Sequence, residues 1–137
     1  MRISIGVMMR WWNISICSVA ILLSTAVFAA EFPFEREMLL DTRPLPGSKR
    51  VPMLEILSNG RAIIDLWCKS GEGRAEVAGD TIKFTLGPMR EEGCTPERLQ
   101  RDGEMAAALE QVTRWQIEDD FLVLIGPAEL RYRHSSH

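Results

Sequence analysis

The feature that most constrains the fold of this chain is a series of short segments in which apolar and polar residues alternate. The clearest is 81–86, where Ile82, Phe84 and Leu86 alternate with polar neighbours. Because successive side chains of a strand point to opposite faces, this pattern predicts a strand with one face in the core and one in water. Similar segments recur as far as residue 132, so a mainly β domain is predicted.

The first half of the domain contains a strong hairpin signal. The β-prone runs 54–57 and 62–67 flank Ser58-Asn59-Gly60-Arg61, and Asn-Gly favours a tight turn because both residues tolerate positive φ. In this hairpin Asp65 shares a face with the apolar Ile63. That face is therefore either partly buried, or it holds Asp65 in an internal hydrogen bond.

Further strands follow on both sides of one helical segment. A second hairpin is predicted to turn at Ala78-Gly79-Asp80 and to end at Gly87-Pro88. Later strands are separated by turns at Asp119-Asp120 and Gly126-Pro127. Residues 31–52 predict an edge strand over 36–40 and a crossing loop.

Two positions could begin the helix. Thr95-Pro96-Glu97 has proline at a first helical position, and Asp102 offers a second N-cap with Gly103 next to it. We favour a short turn followed by a helix that Asp102 caps. The residues expected to pack on the sheet are then Met105, Ala106, Leu109 and Val112. The predicted fold is a small antiparallel barrel, or a strongly curled sheet, with one short α-helix packed on it.

Residues 1–29 have the order of an export signal. Arg2 and Arg10 precede an apolar run over 14–28, and Val27-Phe28-Ala29 fits a small-residue cleavage site. Cleavage would leave 30–137 as a single domain, periplasmic or secreted. An uncleaved segment would instead serve as a membrane anchor, the only membrane contact that we expect.

Charge argues against nucleic acid as a partner. Without the leader the chain has 14 basic and 19 acidic residues, a net charge of −5. The charges are interspersed, and the clustered positive potential that binds phosphates is missing from the sequence. We therefore expect the partner to be a protein or a small apolar molecule.

Two cysteines remain when Cys17 leaves with the leader. Cys68 and Cys94 lie 26 positions apart in a small exported domain, which predicts one disulfide. A redox pair or a metal site is less favoured, because CxxC spacing is missing and the histidines nearest to the pair in sequence, His134 and His137, are terminal.

The sequence offers few groups for catalysis. The two histidines are terminal, so the body of the domain lacks the commonest general base. Glu91-Glu92 and Asp119-Asp120 fall in predicted turns, where solvated carboxylates are ordinary. Gly71-Glu72-Gly73 lacks the strand-to-helix context of a phosphate-binding loop. We predict no catalytic, metal or cofactor site, and so no enzymatic activity.

Large aromatic and basic side chains suggest two lesser possibilities. Trp67 and Trp115 each lie at the end of a predicted strand. Large aromatic side chains at such positions more often fill the hydrophobic core than stack on a ligand. Arg114, Arg131 and Arg133 could bind an anion. Their alternation with apolar residues, however, predicts in the first place that they lie on the solvent-exposed face of their strands.

Several of these residues together resemble a known family. They are Trp67-Cys68, Gly93-Cys94-Thr95-Pro96, Leu109, Trp115, Leu122-Val123-Leu124 and Leu130-Arg131-Tyr132-Arg133. Their order, over about 36–133, is similar to the META domain of bacterial HslJ-like proteins. In that family a Gly-Cys-Asn motif follows an early hairpin, whereas this chain has Trp67-Cys68-Lys69. The resemblance implies a compact β-rich exported domain linked to heat stress and novobiocin tolerance, with no catalytic residues to carry over.

The sequence is compatible with three functions. The favoured one is a non-enzymatic envelope protein that acts in stress or drug tolerance by contact. An alternative is a barrel that binds a small apolar ligand in a cavity lined by residues such as Phe84, Trp115 and Val123. A hydrolase that uses turn carboxylates, or Asp65 with another acid, is the least favoured.

Overall fold

The computed structural model describes residues 29–136 and contains one closed antiparallel barrel and one helix. The predicted leader lies outside the described residues, apart from Ala29. Within 29–136 no helix is long and apolar enough to cross a membrane. The elements are β1 (Met38–Leu40), β2 (Met53–Ile56), β3 (Arg61–Asp65), β4 (Lys69–Ala78), β5 (Thr81–Glu91), α1 (Pro96–Glu110), β6 (Arg114–Glu118), β7 (Phe121–Ile125) and β8 (Leu130–His134).

Each strand pairs with its neighbour in sequence, and β8 returns to pair with β1. Met38 lies opposite His134 and Leu40 opposite Tyr132 in this closing ladder. The predicted fold class is therefore confirmed in its barrel form. The expectation that the first strand lies at an edge is wrong, because β1 pairs on both sides and closure removes sheet edges.

The barrel interior is filled by alternate side chains of the strands. Ile82 and Phe84 are buried as predicted, and β7 contributes Leu122 and Leu124. Other buried members of the same cluster are Met38, Leu54, Ile56, Ala62, Ile64, Leu66, Ala75, Trp115 and Tyr132. This packed interior is the domain's single hydrophobic core.

The first hairpin is present, and its turn differs from the expected form. Leu57 donates to the carbonyl of Arg61 at 2.8 Å, so three residues form the loop. Of these, only Gly60 has positive φ, at 86°. Asp65 is half-buried, and its carboxylate pairs with the guanidinium of Arg50 at 3.4 Å. Of the two alternatives for the face that carries Asp65, partial burial is therefore the one observed. The opposite face, which carries Ile64, points into the core.

The second hairpin extends beyond Gly87-Pro88, where we expected it to end. Gly71 pairs with Met89 and Gly73 with Leu86, so two residues of β5 face Glu72 in a β-bulge. Pro88 has no N–H to donate to the ladder, and a bulge accommodates such a residue because it leaves it unpaired. The strand can therefore continue past Pro88 to Glu91.

The helix starts at the first of the two candidate positions. Thr95 is the N-cap, and its hydroxyl accepts a hydrogen bond from the amide of Arg98 at 3.3 Å. The prediction that Asp102 caps a later helix is wrong, because Asp102 lies inside α1 and its carboxylate has other partners. Met105 and Leu109 are buried as expected.

The helix connects β5 and β6, the two strands that share the shortest ladder of the barrel. Between β5 and β6 the ladder contains one pair, Thr81 with Arg114, and the flanking amide of Trp115 donates to the carbonyl of Asp80 at 3.0 Å. α1 connects the far end of β5 to the start of β6 and packs on β5. It thereby covers one end of the barrel and buries part of the core there.

Candidate functional site

The most unusual side chain in the domain is Asp102, a fully buried carboxylate in the middle of α1. It accepts hydrogen bonds from three successive backbone amides, those of Trp67 at 2.7 Å, Cys68 at 2.9 Å and Lys69 at 2.7 Å. Three donors compensate a buried carboxylate for the water that it has lost. Asp102 is therefore a structural acceptor that ties the β3–β4 turn to the helix.

Sequence reasoning missed this role, although a signal for it exists. Asp102 precedes Met105 by three positions and Leu109 by seven, which places it on the buried stripe of the same helix. An acid on that stripe must find donors. Its donors lie 33–35 positions earlier in the chain, beyond the reach of local patterns.

The same turn is held covalently. Cys68 and Cys94 form the expected disulfide, with their Cα atoms 5.3 Å apart, a normal separation for such a bond. Cys68 is buried. Trp67 and Cys68 follow the end of β3 instead of extending it, which corrects the predicted strand over 62–67.

An open cleft of about 450 Å³ lies beside this turn, at the helix-covered end of the barrel. We call it the helix-end cleft. Its apolar lining comes from four parts of the chain: β1 with the β1–β2 loop, the β3–β4 turn, α1, and the β7–β8 connection with the start of β8. Three charged side chains also line it. The lining residues are Leu40, Thr42, Arg43, Pro44, Leu45, Trp67, Arg101, Glu104, Met105, Ala108, Ala128 and Leu130.

One arginine braces the loop that forms a wall of this cleft. Arg98 on α1 donates to the carbonyl of Gly93 at 2.9 Å and to that of Gly47 at 3.3 Å. The second bond crosses from the helix to the β1–β2 loop. The loop and the helix that face each other across the cleft are thus connected.

Aromatic side chains close the opposite end. The rings of Phe32 and Trp115 meet edge to face at 5.0 Å, and Phe34 lies 4.7 Å from Phe32. The indole N–H of Trp115 donates to the carbonyl of Gly79 at 2.8 Å. Trp115 belongs to the core, as expected, and it also lines a surface cleft beside Gly79 and Asp80. Trp67 lines the helix-end cleft.

The cavity expected inside the barrel does not form from the proposed residues. Phe84 and Trp115 belong to the core cluster. Val123 is buried between Leu122 and Leu124, whose side chains point inward, so alternation places it on the opposite face of β7. These residues cannot line one space, and that part of the ligand prediction is wrong.

The paired carboxylates are at the surface. Asp119 and Asp120 form the exposed β6–β7 turn, as expected, beside a second open cleft that His134 also lines. Glu91 ends β5 instead of lying in a turn, and it pairs with Lys69 at 3.5 Å. Within 29–136 no three histidine, cysteine or acidic residues are grouped to hold a metal ion, and His137 is outside that range.

The arginines that could have bound an anion face solvent or bind acids. Arg114 pairs with Asp80 at 2.9 Å. Arg131 pairs with Glu118 at 3.3 Å and lies 4.7 Å above the ring of Phe121. Together with the exposed Arg133 they do not converge on one site.

The side chains with shifted pKa values lie outside the helix-end cleft. Ser58 donates backbone and side-chain hydrogen bonds to Glu35, which lowers the pKa of that carboxyl. Pairing with Arg61 likewise lowers the pKa of Glu72 and raises the pKa of Arg61. Burial raises the pKa of Tyr132. Each shift has a structural cause.

Comparison with known proteins agrees with the fold. Residues 34–135 match the model of the META domain. A solution structure of a protein from Burkholderia xenovorans is similar, with a TM-score of 0.60, 19% identity, and coverage of 79% of this chain and 93% of that one. A second NMR structure has a TM-score of 0.53 at 12% identity, with coverage of 72% and 87%.

A weaker likeness is to a DUF4847 family protein from Bacteroides vulgatus ATCC 8482. Its TM-score is 0.49 at 14% identity, over 63% of this chain and 60% of that one. No curated protein matches the sequence. At these identities the similar structures speak to the fold alone.

Proposed function

This chain belongs to the META domain family, and we propose that it is a non-enzymatic exported envelope protein, resembling HslJ-like proteins, that acts in stress or drug tolerance through contact with a protein or a small ligand. The observation that carries the proposal is the Cys68–Cys94 disulfide. Such bonds persist in oxidising compartments, and the leader pattern of 1–29 would direct the chain to one.

The polar groups of the domain support a role without catalysis. The buried acid, Asp102, directs both oxygens to backbone amides and has no exposed surface. Asp65, the acid singled out for a possible hydrolase, pairs with Arg50. The remaining acid pair of the turns, Asp119-Asp120, is exposed.

The test combines localisation with a phenotype. Protein recovered from fractionated cells is expected outside the cytoplasm, to begin at Ala30, and to contain no free thiol by mass spectrometry. A gene deletion is expected to increase sensitivity to envelope stress and to novobiocin. The full gene should restore tolerance, and a matched gene lacking residues 2–29 should not.

Two results would contradict the proposal. Free thiols in an intact cytoplasmic chain would remove the export role. A deletion strain with wild-type tolerance under every stress would remove the tolerance role.

One observation favours a second candidate, a module that binds a small apolar ligand. The helix-end cleft has a volume of about 450 Å³, within the roughly 300–1,000 Å³ of typical ligand pockets, and most of its lining is apolar. We therefore propose the site of this candidate at the end of the barrel instead of in its interior.

A further inference from the structure

We infer that the helix-end cleft binds a single-chain amphiphile with an anionic head group, a fatty-acid carboxylate, whose chain covers the apolar lining and whose head group lies at Arg43. The inference rests on the ligand-binding candidate above and names the class of its ligand.

The apolar part of the cleft suits a hydrocarbon chain. Met105 on α1, Leu130 on β8 and Trp67 in the β3–β4 turn present buried side chains to it, and Leu40 and Leu45 are half-buried at its wall. These surfaces come from four separate parts of the chain and line one cleft. A concave apolar lining removes more of a chain from water than a flat patch does.

The charges at the cleft define the head group. Arg43 is exposed and has no ion-pair or hydrogen-bond partner for its side chain among the described residues. Arg101 has Glu104 at 4.0 Å, a weak exposed pair within the helix. The cleft therefore has one uncompensated positive charge in a domain of net negative charge. A guanidinium binds a carboxylate through two parallel hydrogen bonds.

The cleft is also preorganised. Arg98 connects the β1–β2 loop to α1, and the disulfide and Asp102 fix the turn that carries Trp67. A ligand that enters a preformed cleft does not have to order these segments, so less binding free energy is lost.

Dodecanoate is the probe, used below its micelle concentration with purified protein. Dodecanol and dodecyltrimethylammonium carry the same chain with a neutral or a positive head group. Calorimetry gives the affinity, and amide chemical shifts locate the site. We expect dodecanoate to bind more tightly than either control compound, with shifts concentrated over 40–45 and 101–108.

Two variants test the two halves of the ligand. Arg43→Ala should weaken dodecanoate binding by roughly fivefold and leave dodecanol binding unchanged. The matched control is Arg133→Ala, an exposed arginine outside the cleft, with no change expected. Ala108→Trp fills the cleft and should weaken every compound by at least about tenfold.

The outcomes distinguish failure of the anionic head group from failure of the apolar-ligand function. Equal binding of dodecanoate and dodecanol, unaffected by Arg43→Ala, would overturn the anionic head group and leave the apolar-ligand function in place. Binding of none of the three compounds would overturn both. Shifts that map only to the Phe32 end of the barrel would overturn the location.

Discussion

The backbone amide of Cys68 donates a 2.9 Å hydrogen bond to the carboxylate of Asp102, and the side chain of Cys68 forms the disulfide with Cys94. Cys94 immediately precedes Thr95, the N-cap of α1, whereas Asp102 lies further along the helix. The β3–β4 turn is therefore fixed to the helix at two points, one covalent and one polar. Two points of attachment fix the direction in which the helix crosses the barrel end.

Asp102→Asn is expected to destabilise the domain by about 1–3 kcal/mol. The amide keeps one acceptor oxygen, and its NH₂ group would face backbone donors, so at least one buried N–H loses its partner. Chemical denaturation with an unchanged m-value measures the effect. Glu104→Gln, at an exposed position of the same helix, is the control and should change stability by less than about 0.5 kcal/mol. Equal stabilities for the two variants would show that the three amides do not need the carboxylate.

Removing the disulfide with the paired changes Cys68→Ala and Cys94→Ala should cost about 3–4 kcal/mol, because the unfolded chain gains freedom over a loop of 26 positions. The turn should nevertheless stay in place, since Asp102 still accepts its three amides. Hydrogen exchange should therefore show protected amides at positions 67, 68 and 69 in the double variant. Fast exchange at these amides in a folded sample would mean that the disulfide alone holds the turn.

Replacement by alanine should change the stability of the domain in opposite directions at two glycines. A Cβ at Gly73 would lie 2.5 Å from the carbonyl oxygen of Thr85 and 3.1 Å from the Cα of Leu86, both backbone atoms of β5. Gly73→Ala should therefore destabilise the barrel by about 1–3 kcal/mol. At Gly103 a Cβ would meet nothing within 4 Å, and the residue lies inside α1.

Gly103→Ala should consequently stabilise the domain by about 0.5–1 kcal/mol, through the better helix propensity of alanine. The two variants control for each other, because each adds a single methyl group. Thermal denaturation of both proteins gives the signs. A stabilising Gly73→Ala would show that β4 and β5 can separate at the bulge without cost.

The parts of this fold that the sequence predicts correctly are those determined by local patterns. Alternation identified the inward side chains Ile82 and Phe84 because the pleat of a strand repeats every two residues. Two cysteines in a short domain behind an expected export signal predicted the disulfide for a similar reason, since few pairings are possible.

The errors have a common physical origin in contacts between distant residues. Capping rules made Asp102 a plausible N-cap, but its donors lie at 67–69 and a local rule cannot detect them. Gly87-Pro88 resembles a strand end unless the facing Gly71-Glu72-Gly73 is known to form a bulge with it. The helix-end cleft combines four separate segments, so no single stretch of sequence indicates it.

The last prediction concerns Tyr132, the only tyrosine of the chain, which is buried in the barrel. Burial raises its pKa because the phenolate would lose its hydration. The folded state therefore holds this proton more tightly than the unfolded chain, whose tyrosine has a pKa of about 10. The resulting stabilisation is complete below about pH 10, and it is lost as the pH rises towards the folded-state pKa.

Phenolate absorbance should consequently appear only together with unfolding, when both are followed in one alkaline titration by ultraviolet absorbance and circular dichroism. Tyr132→Phe keeps the ring and removes the titrating group, so its unfolding should depend less on pH above about 10. Since the chain has one tyrosine, the absorbance signal has a single source. Reversible ionisation near pH 10 with the barrel intact would show that water reaches Tyr132 in the folded protein.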